Sequence, residues 1–120
     1  LSAKRALGRE GEEIACRELK RMGYKVIEKN FRCREGEIDI VAEHDGYICF
    51  IEVKARTTSE FGVPEEAVTL AKRRRIIIAA TLFMQERGSA CGNVRFDVAS
   101  VDLRDKSARI LANAFDADSI

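Results

Sequence analysis

Asp39, Glu52 and Lys54 are the residues of this chain best placed by type and spacing to do chemistry. Two apolar, strand-like runs flank Asp45-Gly46 between them, a dipeptide suited to the positive backbone angles of a two-residue hairpin turn. With that loop, His44 faces Tyr47, and counting outward brings Asp39 opposite Glu52 and Glu37 opposite Lys54. Directly opposed residues share a face, with Cβ atoms about 4.5–5.5 Å apart, and opposed like charges destabilise a sheet. A divalent cation removes that repulsion. Mg²⁺ takes hard oxygen ligands and typically uses one or two carboxylates, keeping other positions for water and phosphate. Lys54, two residues beyond Glu52 on the same face, could stabilise charge on a phosphate or orient an attacking water. The set suits metal-assisted hydrolysis of a phosphodiester. The plain alternative is an exposed, salt-bridged strand end. Against it, a solvated face would not also carry Val41, Ile48 and Phe50.

These residues need a sheet to hold them and helices to cover it. Leu7, Gly11, Ile14, Ala15, Leu19 and Met22 recur at helical spacing after a cap at Ser2, and Gly23 supplies the stop. Residues 24–31 read as a strand, 32–36 as a loop and 37–54 as the hairpin. Alternation places Ile38, Ile40, Cys49, Ile51 and Val53 on one face of that hairpin. The other face takes Glu37, Asp39, Val41, Ile48, Phe50, Glu52 and Lys54. A polar loop follows. Pro64 suits a first helical position, with the helix restarting near Thr69 and ending at Gly88. Val94, Phe96 and Val98 alternate as a strand, and 108–114 form a last one. The order predicts an α/β fold, a mixed central sheet flanked by helices.

At 120 residues the chain is one domain, 1–120, with a core of useful size. Its 46% hydrophobic and 34% charged residues belong to a globular protein rather than a disordered one. A net charge of +1 writes no bulk attraction to nucleic acid into the composition, but basic residues cluster at 20–34 and 72–75. Cys16, Cys33, Cys49 and Cys91 lack zinc-site spacing, so all four are expected to be reduced thiols in a cytoplasmic protein. The longest apolar run, 76–84, is too short for a membrane span, and no secretory h-region opens the chain. The chain begins at Leu1 rather than Met, so a few residues are expected to precede it.

The ordered set Gly8-Arg-Glu-Gly-Glu-Glu-Ile-Ala15, Gly23-Tyr24, Asn30-Phe31-Arg32, Gly36-Glu-Ile-Asp39, Phe50-Ile-Glu-Val-Lys-Ala-Arg56, Phe61-Gly62, Arg95-Phe-Asp-Val98 and Asn113-Ala-Phe115 spans nearly the whole chain. It resembles the PD-(D/E)xK, or restriction-endonuclease-like, nuclease superfamily. More closely, it resembles the YraN-like family of small bacterial proteins, classed as endonucleases by similarity and related in pattern to archaeal Holliday junction resolvases. Ile38 stands where the superfamily's name has Pro. The resemblance implies an αβββαβ core, Mg²⁺ or Mn²⁺ held by Asp39, Glu52 and the main-chain carbonyl of Val53, and Lys54 as the catalytic lysine. It also implies a DNA substrate, structured or branched, and a two-fold homodimer, with no membrane partner. The alternative is a module that keeps the nuclease fold and binds nucleic acid or protein without cutting.

Resolvase-like relatives place a metal- or water-binding Glu on the first helix. Among Glu10, Glu12 and Glu13, helical geometry selects Glu12, which shares a side with Gly8, Ala15 and Leu19. An ordinary surface Glu on an amphipathic helix is the competing reading. Gly8 and Gly11 each cost the helix about 1 kcal/mol relative to Ala, a cost that fits close approach of a strand, metal or nucleic-acid backbone. From the basic run 72–75, Lys72 is selected as a DNA contact because a similar lysine opens this helix in the family. Arg56 and Thr57 follow Lys54 and could reach phosphate, or simply keep the loop soluble. His44 is expected in the turn, remote from the charged end, and Asp97 as a strand residue or a partner of Arg95. The few dispersed aromatics offer no stacking platform for bases.

Overall fold

A computed structural model describes residues 2–57, 68–87 and 93–116, with side chains from residue 6 onward. In chain order the elements are α1 (Ser2–Arg21), β1 (Lys25–Arg32), β2 (Glu37–His44), β3 (Tyr47–Arg56), α2 (Leu70–Arg87), β4 (Val94–Asp102) and β5 (Ser107–Phe115). The five strands form one sheet in the order β1-β2-β3-β4-β5. Only β3 and β4 run parallel, and α2 lies in the connection between them. This is the mixed sheet with flanking helices that the sequence predicts, and it is compatible with a restriction-endonuclease-like αβββαβ core. Ser2 is described only as a backbone position of α1, and the Phe61-Gly62 segment, Pro64, the Gly88 stop and Cys91 lie outside the described residues.

Each helix covers its own face of the sheet. Ile14, Ala15 and Leu19 of α1 pack on Ile40, Ala42, Cys49, Ile51, Ala99 and Val101. Ile76, Ala79, Ala80 and Phe83 of α2 pack on Val41, Ile48, Phe50, Phe96 and Val98. Strands β3 and β4 are therefore buried on both faces, as parallel neighbours usually are. Phe83 meets Phe31 and Phe50 edge-on, with ring centroids 5.2 and 5.6 Å apart.

Local chemistry sets the joints. Helix α1 ends in a Schellman motif: Tyr24 N–H donates to Leu19 C=O at 2.9 Å and Gly23 N–H to Lys20 C=O at 3.1 Å, with Gly23 at φ 93°. The β2–β3 turn has Asp45 at φ 51° and Gly46 at φ 82°, the type I′ signature. The register it dictates holds from His44↔Tyr47 to Ile40↔Ile51. Gly11 lies against β3, where an added Cβ would come within 2.8 Å of the Ala55 Cβ. Nothing lies within 4 Å of the corresponding position at Gly8. Strand approach accounts for Gly11; it does not account for Gly8.

Three expectations fail near Asp39, the first being its pairing with Glu52: the β2–β3 ladder stops one pair short of them, at Ile40↔Ile51. Ile38 joins the α2-side cluster, whereas Ile40 joins the α1-side cluster, so strict alternation breaks between them. The facing strand shows why. Asn30 lies between the pairs Lys29↔Ile40 and Phe31↔Ile38, hence across from Asp39, and has a left-handed φ of 57°. Glu37 is the third correction. The β2–β3 pairing stops at Ile40↔Ile51, so Glu37 pairs with Arg32 through a 2.8 Å ion pair, and Lys54 lies beside Ser100.

Candidate active site

Where β2 and β3 separate, the Asp39 carboxylate replaces the missing ladder. Its Oδ2 accepts the Val53 N–H at 2.8 Å. In a hydrogen-bonded strand the N–H and C=O of one residue project toward the same edge. The Val53 carbonyl therefore also points to the gap that holds Asp39. One residue earlier on β3, Glu52 is 5% exposed and stands on the α2 face with Ile48 and Phe50. Asp39 and Glu52 line one cavity of about 130 Å³ with Gly36, Glu37, Lys72, Arg75 and Ile76.

The first turn of α2 supplies the counter-charge. Thr69 Oγ1 accepts the Lys72 N–H at 3.2 Å, an N-cap bond, and its carbonyl accepts the Arg73 N–H at 2.9 Å. Val68 is buried beneath it, and Arg73 Nε donates to the Val68 carbonyl at 2.9 Å. A Cβ on Gly36 would come within 3.1 Å of the Arg75 Cβ and carbonyl oxygen, so glycine lets the β1–β2 loop close on this turn. Thus held, Lys72 Nζ forms an ion pair with Glu52 Oε2.

Protonation follows the geometry. Burial first, and the Glu52 charge second, push the Asp39 carboxyl up to about 8, even though the Val53 N–H favours its ionised form. Burial lowers the Lys54 pKa, with the Lys72 charge acting the same way against Glu52 and Asp39. Burial also pulls Lys72 down, but its hydrogen bond and attraction to Glu52 outweigh it, leaving the net shift upward. An ionised buried pair stripped of one partner costs about 3–5 kcal/mol, and Lys72, 37% exposed, belongs near the lower end.

Glu12 arrives from the other side of the sheet. It lines a cleft with Gly8, Arg9, Asn30, Arg32 and Glu37. Burial raises its pKa, while a hydrogen bond with the Asn30 side chain opposes the rise. Its charge is felt at Asp39. Glu37 lines both cavities, so the two openings adjoin at the end of β2. Asp39, Glu52, Val53 and Lys72 thus converge, with Lys54 in their field and Glu12 in the neighbouring cleft. Arg56 is half-buried at the end of β3 and Thr57 exposed just past it.

Among the described residues, no group of three or more His, Cys, Asp or Glu side chains is placed to hold a metal ion. Two carboxylates and a main-chain carbonyl are nevertheless the hard, oxygen-only donor set that Mg²⁺ or Mn²⁺ uses when water and phosphate complete its sphere. The residues present fit such an ion. The contributions of Asn30 and of the Lys72–Glu52 pair were missed in the sequence. An Asn inside a strand was the available signal for the first, since Asn tolerates the left-handed region. The second depends on how α2 docks.

At the opposite end of the hairpin, fully buried Asp97 accepts bonds from Tyr24 Oη (2.9 Å), Arg95 Nε (2.9 Å) and the Asn113 N–H (2.9 Å). Arg95 also bonds Tyr24 Oη at 2.8 Å and His44 Nδ1 at 3.0 Å, and His44 stacks on Tyr24. Asp97 is the partner of Arg95, and this network ties strands and turn together away from the carboxylate pair.

The sheet order, the two covering helices and paired carboxylates at the mouth of a split hairpin define an α/β domain compatible with the restriction-endonuclease-like fold. The chain belongs to uncharacterised protein family UPF0102, the YraN-like group, whose family pattern matches residues 11–101. A UPF0102 protein of Desulfosudis oleivorans is 42% identical over 118 residues, covering 98% of this chain and 96% of the relative. One from Desulforapulum autotrophicum is 44% identical over 117 residues, 96% of this chain and 97% of the relative. Another, from Caldicellulosiruptor saccharolyticus, is 41% identical over 116 residues, 93% and 98%. Among the described residues no helix is long and apolar enough to cross a membrane.

Proposed function

We propose that the chain is a cytoplasmic Mg²⁺- or Mn²⁺-dependent DNA endonuclease that hydrolyses phosphodiester bonds in structured or branched DNA, acting as a two-fold homodimer. One observation carries this reading: Asp39 and Glu52 share a single small cavity, where burial and the neighbouring Glu52 charge both raise the Asp39 pKa. Asp39, Glu52 and the Val53 carbonyl would hold the ion. Bound there, it would polarise a phosphoryl oxygen and acidify water. Lys54, made more acidic by burial and by Lys72, orients the attacking water and stands beside the developing phosphate charge. Glu12, steadied by Asn30, assists from the α1 side. Arg56, Thr57 and, once released from Glu52, Lys72 contact the phosphate backbone. The placement favours recognition of DNA shape over base sequence.

A second reading has a specific observation behind it. The Lys72–Glu52 ion pair neutralises the buried carboxylate without any metal, as a non-catalytic binding module would need. Cleavage of branched, single-stranded and duplex DNA with Mg²⁺, Mn²⁺ or EDTA separates the two. The nuclease reading expects metal-dependent nicking, reduced about 10²–10⁴-fold in Lys54→Ala, the usual scale for a lost proton-transfer group. Equal DNA binding by both proteins with no nicking by either supports the module.

A further inference from the structure

We propose that Lys72 is a built-in competitor for the divalent cation, occupying Glu52 in the resting protein and leaving it when the ion enters; this rests on the metal-site reading above. Glu52 is nearly inaccessible, and Lys72 is its ion-pair partner among the described residues. The contact is not an incidental one between surface side chains. The turn that carries Lys72 is held by the Thr69 cap, by buried Val68 with Arg73 on its carbonyl, and by Arg75 resting against Gly36. The backbone is thereby fixed while the flexible four-carbon stem above it remains free to swing.

The shared carboxylate enforces exchange. Both carboxylates and Lys72 line the same small cavity, so the ammonium and an entering cation would compete for one Glu52. An ammonium and a divalent cation on the same buried carboxylate would repel each other strongly in so poorly solvated a place. Lys72 also has a way out: its side chain is 37% exposed, and Arg75 lines the same cavity. An ammonium displaced toward solvent there would meet an approaching phosphate. One lysine thus serves as counter-ion before cation entry and as phosphate contact afterwards. The resting protein avoids an uncompensated carboxylate pair at the cost of weaker cation affinity.

The test is calorimetric titration of Mn²⁺ into wild type, Lys72→Gln and Lys72→Arg, with thermal unfolding of each protein with and without Mn²⁺. Lys72→Gln removes the competitor, so it should bind Mn²⁺ about tenfold more tightly, within the usual range for coupled sites. Its melting temperature should fall without metal, and Mn²⁺ should raise it by more than in wild type. Lys72→Arg keeps a permanent, forked cation suited to a carboxylate and should bind Mn²⁺ more weakly than wild type. A merely structural lysine would lower stability equally with and without Mn²⁺. If wild type binds Mn²⁺ and Lys72→Gln binds no more tightly, or Lys72→Arg no more weakly, the competitor role is overturned and the metal site stands. If none of the three binds Mn²⁺, the metal-site reading fails and takes this role with it.

Discussion

Asp39 is asked to do two incompatible things: to cap the end of a strand ladder as a carboxylate, and to sit beside buried Glu52. Its response is to hold its proton, with a pKa raised from the ordinary 3.8 to about 8. The sign of the consequence follows from linkage. A carboxyl with a raised folded pKa binds more protons folded than unfolded, so its contribution to stability is fully present below about pH 4 and is lost as pH rises toward 8. Metal-free wild type should therefore lose stability across that window, and Asp39→Asn should flatten the loss; urea unfolding at stepped pH measures it. Cation binding must expel the same proton, so Mn²⁺ affinity should climb over the same interval. Constant affinity from pH 5 to 8 would contradict the assignment of Asp39 as a ligand. The thiol of Cys49 is another group the fold silences: burial first, with Asp97 adding to it, pushes it up to about 12.

At the scale of elements, the two glycines of α1 make opposite predictions. Gly11 lets the helix lie on β3, and a methyl there would meet Ala55 at 2.8 Å. Gly11→Ala should destabilise by about 1–3 kcal/mol, the usual cost of overpacking. Gly8 has open space around it, so Gly8→Ala should stabilise by up to about 1 kcal/mol through helix propensity alone. Chemical denaturation of the two variants checks both signs. Elements also explain how far the sequence could be read. Asp45-Gly46 dictated the hairpin register because turn chemistry is local, and Gly23 dictated the end of α1 for the same reason. The Glu37–Lys54 and Ile38 expectations failed because both extrapolate a regular hairpin past Ile40, where the β2–β3 ladder stops and Asn30, across from Asp39, takes a left-handed φ. Lys72 stood out in the sequence as a candidate DNA contact, but its pairing with Glu52 depends on how Val68 and Gly36 dock α2. No spacing encodes such a long-range contact.

For the molecule as a whole, the sheet is anchored at one end and opened at the other. The anchored end is the Asp97 network, which joins the segment after α1 (Tyr24), the hairpin turn (His44), β4 (Arg95) and the irregular pairing of β5 (Asn113). Removing a fully buried carboxylate that satisfies this many donors should be severe. Asp97→Ala is expected to cost about 3–5 kcal/mol while leaving Mn²⁺ affinity of the folded fraction unchanged. A small loss in thermal or chemical unfolding would show that the network is not what holds that end. The open end is where β2 and β3 part, and there the unpaired backbone of β3 is met by Asp39 rather than by a strand. A tied end and an open, charged one would suit the proposed catalysis, with a frame at one end and the carboxylate pair at the other.

As proposed, the Asp39–Glu52 pair is a cation-dependent phosphodiesterase centre. Its most direct measurement is single-turnover cleavage of an end-labelled four-way DNA junction by wild type and Glu52→Gln, with junction binding measured on the same samples in EDTA. Such a centre should give nicking by wild type that appears with Mg²⁺ or Mn²⁺ and vanishes with EDTA, and that is lost in Glu52→Gln while binding persists. Wild type that binds the junction and leaves it intact in both metals, or Glu52→Gln that cuts as well as wild type, would contradict it.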